Sequence, residues 1–453
     1  MNPRLVRQFI YPWHEALRGR RTFDNLRELE ATQWWPAERL REWQQVKLRA
    51  LFRHAVGHCP YYGEVFAEAG VDPHGREPLS ALPALPLLDK DTIRRRRQEL
   101  TWAQAPGGLH EAATGGSTGH PLLFYFDRRR QGYDKAARMR THRWFGVDVG
   151  DREVYLWGSP HEINTQHRLK EWRDRLTNEL LLSAFALTPG RMDEYLARIA
   201  RFEPRCLFGY PSSLALLCEH GLACGRIERP ASLRAVFVTG ELLDEGQRRV
   251  ISDCFRVPVA DGYGSREAGF LAHECPHGAM HVTDENVILE VVDESGHPVE
   301  AGACGEIVVT HLDAYAMPLI RYRTGDAGRR IAEPCACGRG LSRMEVVGGR
   351  KTDHLVARDG TVMHGLSVIY VLRETPGVRQ FQVRQDAGGA VTIRIVPDDE
   401  LDADGLRRIE RGVRDVLGWD AELSIEPVER LEVSASGKFR CVVSEAVEAG
   451  AIP

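Results

Sequence analysis

The chain has 453 residues, 43% of them hydrophobic and 27% charged, with a formal net charge of −4. That apolar share excludes a disordered chain, and the length fits roughly two to four domains. No run of roughly 20 apolar residues exists to span a bilayer, and the near-balanced charge leaves no global footprint for nucleic acid.

In residues 1–21 every apolar pair is broken by Arg, Pro or His, so no secretory signal is expected. The ten Cys then read as mostly free thiols of a cytoplasmic protein. Residues 22–58 carry apolar residues near helical spacing, with Pro36 marking a break. Pro60, Pro73, Pro78, Pro83 and Pro86 punctuate the stretch that follows. Asp91 is placed to cap a short helix over 92–100, whose basic run 94–97 is a solvated face or, less simply, a docking site. From about 110 to 345, strand-like runs at 122–126, 154–157, 235–239, 287–292 and 306–310 alternate with helical patterns at 192–201, 213–220 and 245–254. Alternation of this kind predicts an α/β body with sheets covered by helices. Beyond Gly348-Gly349 the pattern changes to a helix at 366–374, strands at 378–384 and 390–396, and a helix at 402–418. The expected division is a large N-terminal domain, 1–349, and a small α+β C-terminal domain, 350–453.

Five segments carry chemistry. Thr114-Gly115-Gly116-Ser117-Thr118-Gly119 offers glycine turns, hydroxyls and backbone amides suited to phosphate. It is neither a Walker A loop nor the dinucleotide fingerprint, and an ordinary Gly/Ser loop is the plain alternative. Asp261-Gly262-Tyr263-Gly264-Ser265-Arg266-Glu267 reads as a turn with an aromatic ring for a flat base and a carboxylate for Mg²⁺, or as a turn with a salt-bridged Glu. Tyr322-Arg323-Thr324-Gly325-Asp326 reads as a tight turn whose Asp suits a ribose diol or forms an Asx turn. Gly349-Arg350-Lys351-Thr352-Asp353 lies at the expected domain boundary. The fifth is Ser436-Gly437-Lys438-Phe439-Arg440. Lys and Arg total 60, yet the only Lys are Lys47, Lys90, Lys135, Lys170, Lys351 and Lys438. A Lys in a glycine context against this Arg background marks a place where one compact charge must reach one oxygen.

In this order the five segments resemble the adenylate-forming superfamily, the acyl-CoA synthetases, over nearly the whole chain. Within it, residues 28–35 and 51–62 are similar to the phenylacetate–CoA ligase branch and its CapK-like relatives. The resemblance implies an adenylation domain followed by a mobile C-terminal lid hinged at 350–353. It implies that Thr114, Gly115, Gly116, Ser117, Thr118 and Gly119 cradle ATP phosphates. Gly240 and Glu241 would lie along the adenine, with Tyr263, in the run Gly262-Tyr263-Gly264-Ser265, on its face. Glu267 would bind Mg²⁺, Asp326 and Arg350 would hold the ribose, and Lys438 would bridge the substrate carboxylate and the α-phosphate. The partners implied are a small carboxylic acid, aryl or medium-sized, and CoA, with an amine or hydroxyl acceptor as the alternative. A zinc-stabilised binding protein on the same scaffold is the non-catalytic alternative. A homodimer stays open; neither nucleic acid nor a membrane is an expected partner. Three residues depart from the pattern: His120 where many relatives have Lys, Arg266 where they usually have Thr, and Thr352 at the hinge.

Cys275, His281, Cys335 and Cys337 form a candidate structural zinc set, with His277 as substitute for His281. The acid is expected near the 157–160 and 208–212 turns and Tyr263, where core packing explains Trp157 and Phe208 equally well.

Overall fold

A computed structural model describes residues 1–113, 122–158, 177–184, 187–348, 354–357, 361–373, 375–418, 421–431 and 442–445. Its strands are β1 (His110–Ala113), β2 (Leu123–Phe126), β3 (Glu153–Trp157), β4 (Glu179–Ser183), β5 (Cys206–Gly209), β6 (Ala235–Thr239), β7 (Val259–Ser265), β8 (Gly269–Glu274), β9 (Met280–Val282), β10 (Val287–Val292), β11 (Gly305–His311), β12 (Tyr322–Ile331) and β13 (Arg343–Gly348). The C-terminal region adds β14 (His354–Val356), β15 (Val362–His364), β16 (Val378–Gln385), β17 (Val391–Pro397), β18 (Leu423–Pro427) and β19 (Val442–Ser444). Two compact units emerge: residues 1–114, 122–151 and 260–349, and residues 115–121, 152–259 and 350–453.

The first unit is built on antiparallel pairing in the order β10-β11-β12-β13-β9-β8-β7, with β1 and β2 as a separate hairpin. Helices Thr22–Thr32, Ala37–His58 and Arg128–Arg143 belong to the same unit. Pro36 stands at the N-cap of the second, so the break expected there is real. The core gathers Leu48, Leu51 and Phe52 of that helix with Ile307, Val309, Tyr322 and Met344 of the strands.

Beneath this core lies a buried polar network. Arg140 donates to Glu285 at 2.5 Å, and both side chains are almost wholly removed from solvent. Thr32 donates its hydroxyl to the same carboxylate oxygen at 2.9 Å. Lys47 Nζ reaches the Glu285 carbonyl at 2.9 Å and Asp313 at 2.5 Å, while Gln44 donates to the carbonyls of Asp284 and Val287. One short segment, 283–287, running into β10, thus holds three helices, because an unpaired charge here would be strongly destabilising.

The second unit contains four parallel strands in the order β6-β5-β3-β4. β6 reads Ala-Val-Phe-Val-Thr and is buried along four of its five residues, as a strand covered on both faces must be. Helices Pro189–Phe202, Pro211–Ala223 and Glu245–Phe255 alternate with the strands. Each start is written locally: Pro in the first turn of the first two, and an Asp244/Gln247 capping box on the third. The C-terminal region forms a sheet in the order β18-β17-β16-β19 with helices Leu366–Arg373 and Ala403–Leu417, around Phe381, Ile393, Ile395, Ile409 and Val413.

Three local expectations are corrected. The cap of helix Lys90–Arg96 is Asp89, which accepts from the Thr92 amide at 2.7 Å; Asp91 already sits in the first turn and pairs with Arg94. Of the basic run, Arg94 and Arg96 are ion-paired, the latter to Glu64 and Glu99, which is the solvated-face reading. Residues 261–265 continue strand β7, and the turn falls at 266–268. Asp326 lies inside β12 at an irregularity where residues 324–326 bulge opposite Ile307. Gly325, at φ +78°, supplies the left-handed residue that the bulge needs.

Burial pushes the Asp284 carboxyl up to about 7, the Ser342 amide opposing the shift and Glu285 adding to it. The folded state then keeps a proton that the unfolded chain releases near pH 4. Stability falls as pH rises between those two values, and the loss persists above them. Asp284→Asn is therefore expected to be nearly neutral at about pH 4 and stabilising by up to about 4 kcal/mol at about pH 8, from about 1.4 kcal/mol for each of the roughly three pH units between the two values. Urea unfolding of both proteins across that range checks it; a difference that does not change with pH would contradict it.

Candidate active site and metal cluster

In the first unit the Gly-Tyr-Gly-Ser run of β7 delivers the chain to the 266–268 turn. Gly264 has no room for a side chain: a Cβ would lie 2.4 Å from the Gly269 carbonyl oxygen. The turn is fixed from behind. Arg130 donates to the Arg266 carbonyl at 2.7 Å, Asp134 accepts from the Phe270 amide at 3.2 Å, and the Ser265 hydroxyl accepts from the Ala268 amide at 3.0 Å.

This places Glu267, 3% exposed, against two partners. The fully buried Tyr322 donates its hydroxyl to Glu267 Oε1 at 2.9 Å, and Lys90 Nζ stands 3.9 Å from the same oxygen. Four residues along β12 from Tyr322, Asp326 accepts from the Tyr263 hydroxyl at 3.0 Å, and its amide donates to Thr324 Oγ1 at 3.1 Å. The turn-forming side chain is therefore Thr324, not Asp326. The Asp326 carboxylate is aimed at Tyr263, and the structure brings Tyr263, Asp326 and Glu267 together on β7, the turn after it, and β12. Arg266 donates to the carbonyl of Ala113, immediately before the Thr114 loop, at 3.3 Å.

In the second unit Gly240 follows β6 at φ +87°. Tyr210 and Trp157 stack there at 4.0 Å with 13° between their planes, and a Cβ on Gly240 would come 3.1 Å from the Tyr210 ring. Glu241 accepts from the Ser212 hydroxyl at 2.5 Å and from the Ser212 amide at 3.4 Å, at the start of helix Pro211–Ala223. A carboxylate at a helix N-terminus is favoured by the amides exposed there. Thr114, Gly115, Gly116, Ser117, Thr118, Gly119, His120, Arg350, Thr352 and Lys438 lie outside the described residues, as do Ser159 and Pro160 of the expected acid pocket.

Lys90 and Tyr322 are neighbours of Glu267 to which the sequence assigned no role. Lys90 is one of six lysines in an Arg-rich chain, the same signal that singled out Lys438.

The Cys/His set also converges. The ligand atoms of Cys275, His281, Cys335 and Cys337 all lie within 4.8 Å of one another. The Cys275 and Cys335 sulfurs are 3.7 Å apart, and Cys337 Sγ is 3.2 Å from His281 Nε2. A tetrahedral ion with metal–sulfur bonds of about 2.3 Å separates its sulfurs by about 3.8 Å, so the geometry fits one such ion. His281 Nδ1 is 3.2 Å from the Leu341 carbonyl; donation there leaves the Nε2 lone pair facing the sulfurs. Burial lowers His281 to about 4, keeping the imidazole neutral as a ligand must be, and raises Cys275 to about 11. His277, the weighed substitute, is not in the cluster.

The AMP-binding enzyme family matches residues 114–312, and the CapK C-terminal domain matches residues 355–445. The chain thus carries an AMP-binding enzyme domain and a CapK C-terminal domain, and the curated proteins it resembles are phenylacetate–CoA ligases and CapK. It is 26% identical over 451 residues to a phenylacetate–coenzyme A ligase of Thermus thermophilus, covering 90% of this chain and 97% of that protein. It is 21% identical to the protein CapK of Staphylococcus aureus, covering 89% of each. Among solved structures, 2-hydroxyisobutyryl-CoA ligase in complex with 2-HIB-AMP and CoA superposes with a TM-score of 0.61 at 20% identity over 92% of each chain, which establishes the fold. Among the described residues, no helix is long and apolar enough to cross a membrane.

Removing the Tyr322 hydroxyl would leave a buried carboxylate oxygen short of a partner. Tyr322→Phe is expected to cost about 1–2 kcal/mol and Tyr263→Phe, whose acceptor is more accessible, less than about 1 kcal/mol. Chemical denaturation measures both, and equal losses would contradict this ranking of the two contacts.

Proposed function

We propose that this chain is an ATP-dependent carboxylic acid–CoA ligase acting on a small or aryl acid. The observation that carries the reading is the order of the motifs within the two matched regions: the Thr114 loop, the Glu267 turn and the β12 Asp lie in or just beyond the AMP-binding match, and Lys438 lies in the CapK C-terminal match. A substrate carboxylate oxygen attacks the ATP α-phosphorus, and pyrophosphate leaves. The CoA sulfur then attacks the acyl carbon of the mixed anhydride, AMP leaves, and the thiol proton passes to solvent.

Each residue has a task set by its chemistry. The first step brings two anions together, so cations and backbone donors must stabilise the charge that develops. Bound Mg²⁺ would supply part of that charge compensation, and the buried Glu267 carboxylate is the group suited to hold it. Lys90 brings a second positive charge to the same turn. The 114–119 loop offers amides and hydroxyls to the phosphates. Gly240 and Glu241 flank the adenine, Asp326 and Arg350 take the ribose hydroxyls, and Tyr263 both covers the base and orients Asp326. Lys438 contacts the substrate carboxylate and the α-phosphate. We assign 350–453 as a mobile lid, which lets one site run two half-reactions. Aromatic Trp157, Phe208 and Tyr210 support an aryl acid. No observation favours an amine or hydroxyl acceptor, or a non-catalytic scaffold. The Cys275, His281, Cys335, Cys337 cluster is assigned to structural zinc, since four protein ligands leave no open position for substrate.

Pyrophosphate release with ATP, Mg²⁺ and hydroxylamine over a panel of aryl and aliphatic acids tests the adenylation. Release should depend on the acid and fall about 10²–10³-fold or more in Lys438→Ala. Lys90→Ala should fall less, with its main effect on kcat. Release from no acid by metal-replete protein that binds ATP would overturn the assignment. Metal analysis should find one zinc per chain, and Cys335→Ser with Cys337→Ser should lose it and melt at a lower temperature. Metal-free protein of undiminished stability would remove the zinc assignment.

A further inference from the structure

Residues 3–17 form one continuous helical segment with a π turn at Val6–Ile10 between α-helical Pro3–Leu5 and Tyr11–Leu17. Its inner face is firmly docked. Val6 is fully buried, and a Cβ on Gly150 would lie 2.9 Å from Val6 Cβ. Arg7 donates to the Val149 carbonyl and pairs with Asp148 and Asp151. The buried Glu15 accepts from Lys135 at 2.7 Å and from Thr22 at 2.7 Å.

The outer face runs against the composition of a soluble surface. Leu5, Phe9, Trp13 and Leu17 are 46%, 66%, 68% and 67% exposed. They recur every four residues, so they form one ridge. In a pure α-helix such a ridge drifts sideways, because four residues overshoot a turn. The wider π turn between Leu5 and Tyr11 offsets part of that drift and keeps the four side chains aligned. Because the inner face is pinned, the ridge is a fixed surface and not a frayed end.

Positive charge accompanies it. Residues 1–21 contain five arginines: Arg7 pairs with Asp148 and Asp151, Arg20 with Glu15 and Arg21 with Asp24, and Arg4 and Arg18 are the other two. Arg4 and Arg18 are exposed at the two ends of the ridge. Arg18, Arg20 and Arg128 all lie close enough to His110 to lower its pKa further below the usual histidine value, beyond the effect of burial.

We propose that this ridge is a peripheral attachment site for an anionic lipid surface. Exposed Trp, Phe and Leu flanked by Arg is the composition by which a helix lies in a bilayer interface, apolar side down, with cations at the headgroups. A second copy of the chain fits less well. A twofold axis would set each basic end against its own equivalent or against Arg4, a like-charge contact on both sides of the apolar strip. The expectation that no membrane is involved rested on the absence of a spanning segment, which a surface-lying helix does not need.

Co-sedimentation of the full chain with phosphatidylcholine vesicles, and with vesicles in which part of the lipid is phosphatidylglycerol, tests the site. Binding should require the anionic lipid and weaken with added salt. It should fall about tenfold or more in Phe9→Ser/Trp13→Ser and, separately, in Arg4→Glu/Arg18→Glu. All four side chains are exposed and none is among the assigned catalytic or binding residues, so adenylation and the melting temperature should stay unchanged. Failure to bind anionic vesicles overturns the proposal, as does binding that both variants retain. A dimer in solution that Phe9→Ser/Trp13→Ser disperses, without vesicle binding, would assign the ridge to a second copy. Salt-sensitive capture of an acidic protein, again without vesicle binding, would assign it to a protein partner; either result overturns the lipid claim.

Discussion

The first unit is arranged around one buried carboxylate. Glu267 is almost wholly removed from solvent, with Tyr322 on one of its oxygens and Lys90 near the same atom. A carboxylate in such a place is stable only with compensation, and the surrounding elements provide it. β12 brings Tyr322, the helix capped by Asp89 brings Lys90, and Arg130 and Asp134 on helix Arg128–Arg143 hold the turn that carries Glu267. The same strand that supplies Tyr322 carries Asp326, and the strand before the turn carries Tyr263. Two contacts proposed for one nucleotide, the metal carboxylate and the ribose carboxylate, therefore share a pair of strands and are positioned together.

A second buried charge system shares a helix with that arrangement. Arg140 on helix Arg128–Arg143 is tied to Glu285, and Lys47 to Asp313, in the same unit. Helix Arg128–Arg143 thus binds the polar network through Arg140 and the Glu267 turn through Arg130 and Asp134. The Cys/His cluster brings together two further segments of this unit, at 275–281 and 335–337. The Glu267 turn is thus held by hydrogen bonds from a helix that is itself tied into the buried polar network.

Much of this was legible in the sequence because the signals were local. Strands 235–239 and 287–292 and the helices after Thr188, Tyr210 and Asp244 are marked by apolar runs, Pro in the first turn and capping side chains, none of which depends on distant residues. The Cys and His quartet was legible because thiolates and imidazoles in close pairs have few other uses. Errors arose where tertiary contacts decided. Asp326 looked like a turn residue, but its neighbours pair with β11 and the bulge absorbs the glycine. Residues 261–265 looked like a turn because of their glycines, yet Gly264 is required by the approach of Gly269 within a strand pair. Lys90 and Tyr322 were visible as residues and invisible as partners, since Glu267 lies 177 and 55 positions away from them in sequence. Asp89 was passed over as the cap because Asp91 made an equally good local signature.

The central claim is that the acid's carboxylate attacks the α-phosphorus of ATP. It is tested most directly by giving the enzyme ATP, Mg²⁺, CoA and a turned-over acid whose carboxyl oxygens are ¹⁸O, then weighing the nucleotide and phosphate products. Attack at the α-phosphorus leaves one labelled oxygen in AMP and none in pyrophosphate. Label in inorganic phosphate with ADP as the nucleotide product, or thioester formed with no label in AMP, would contradict the account.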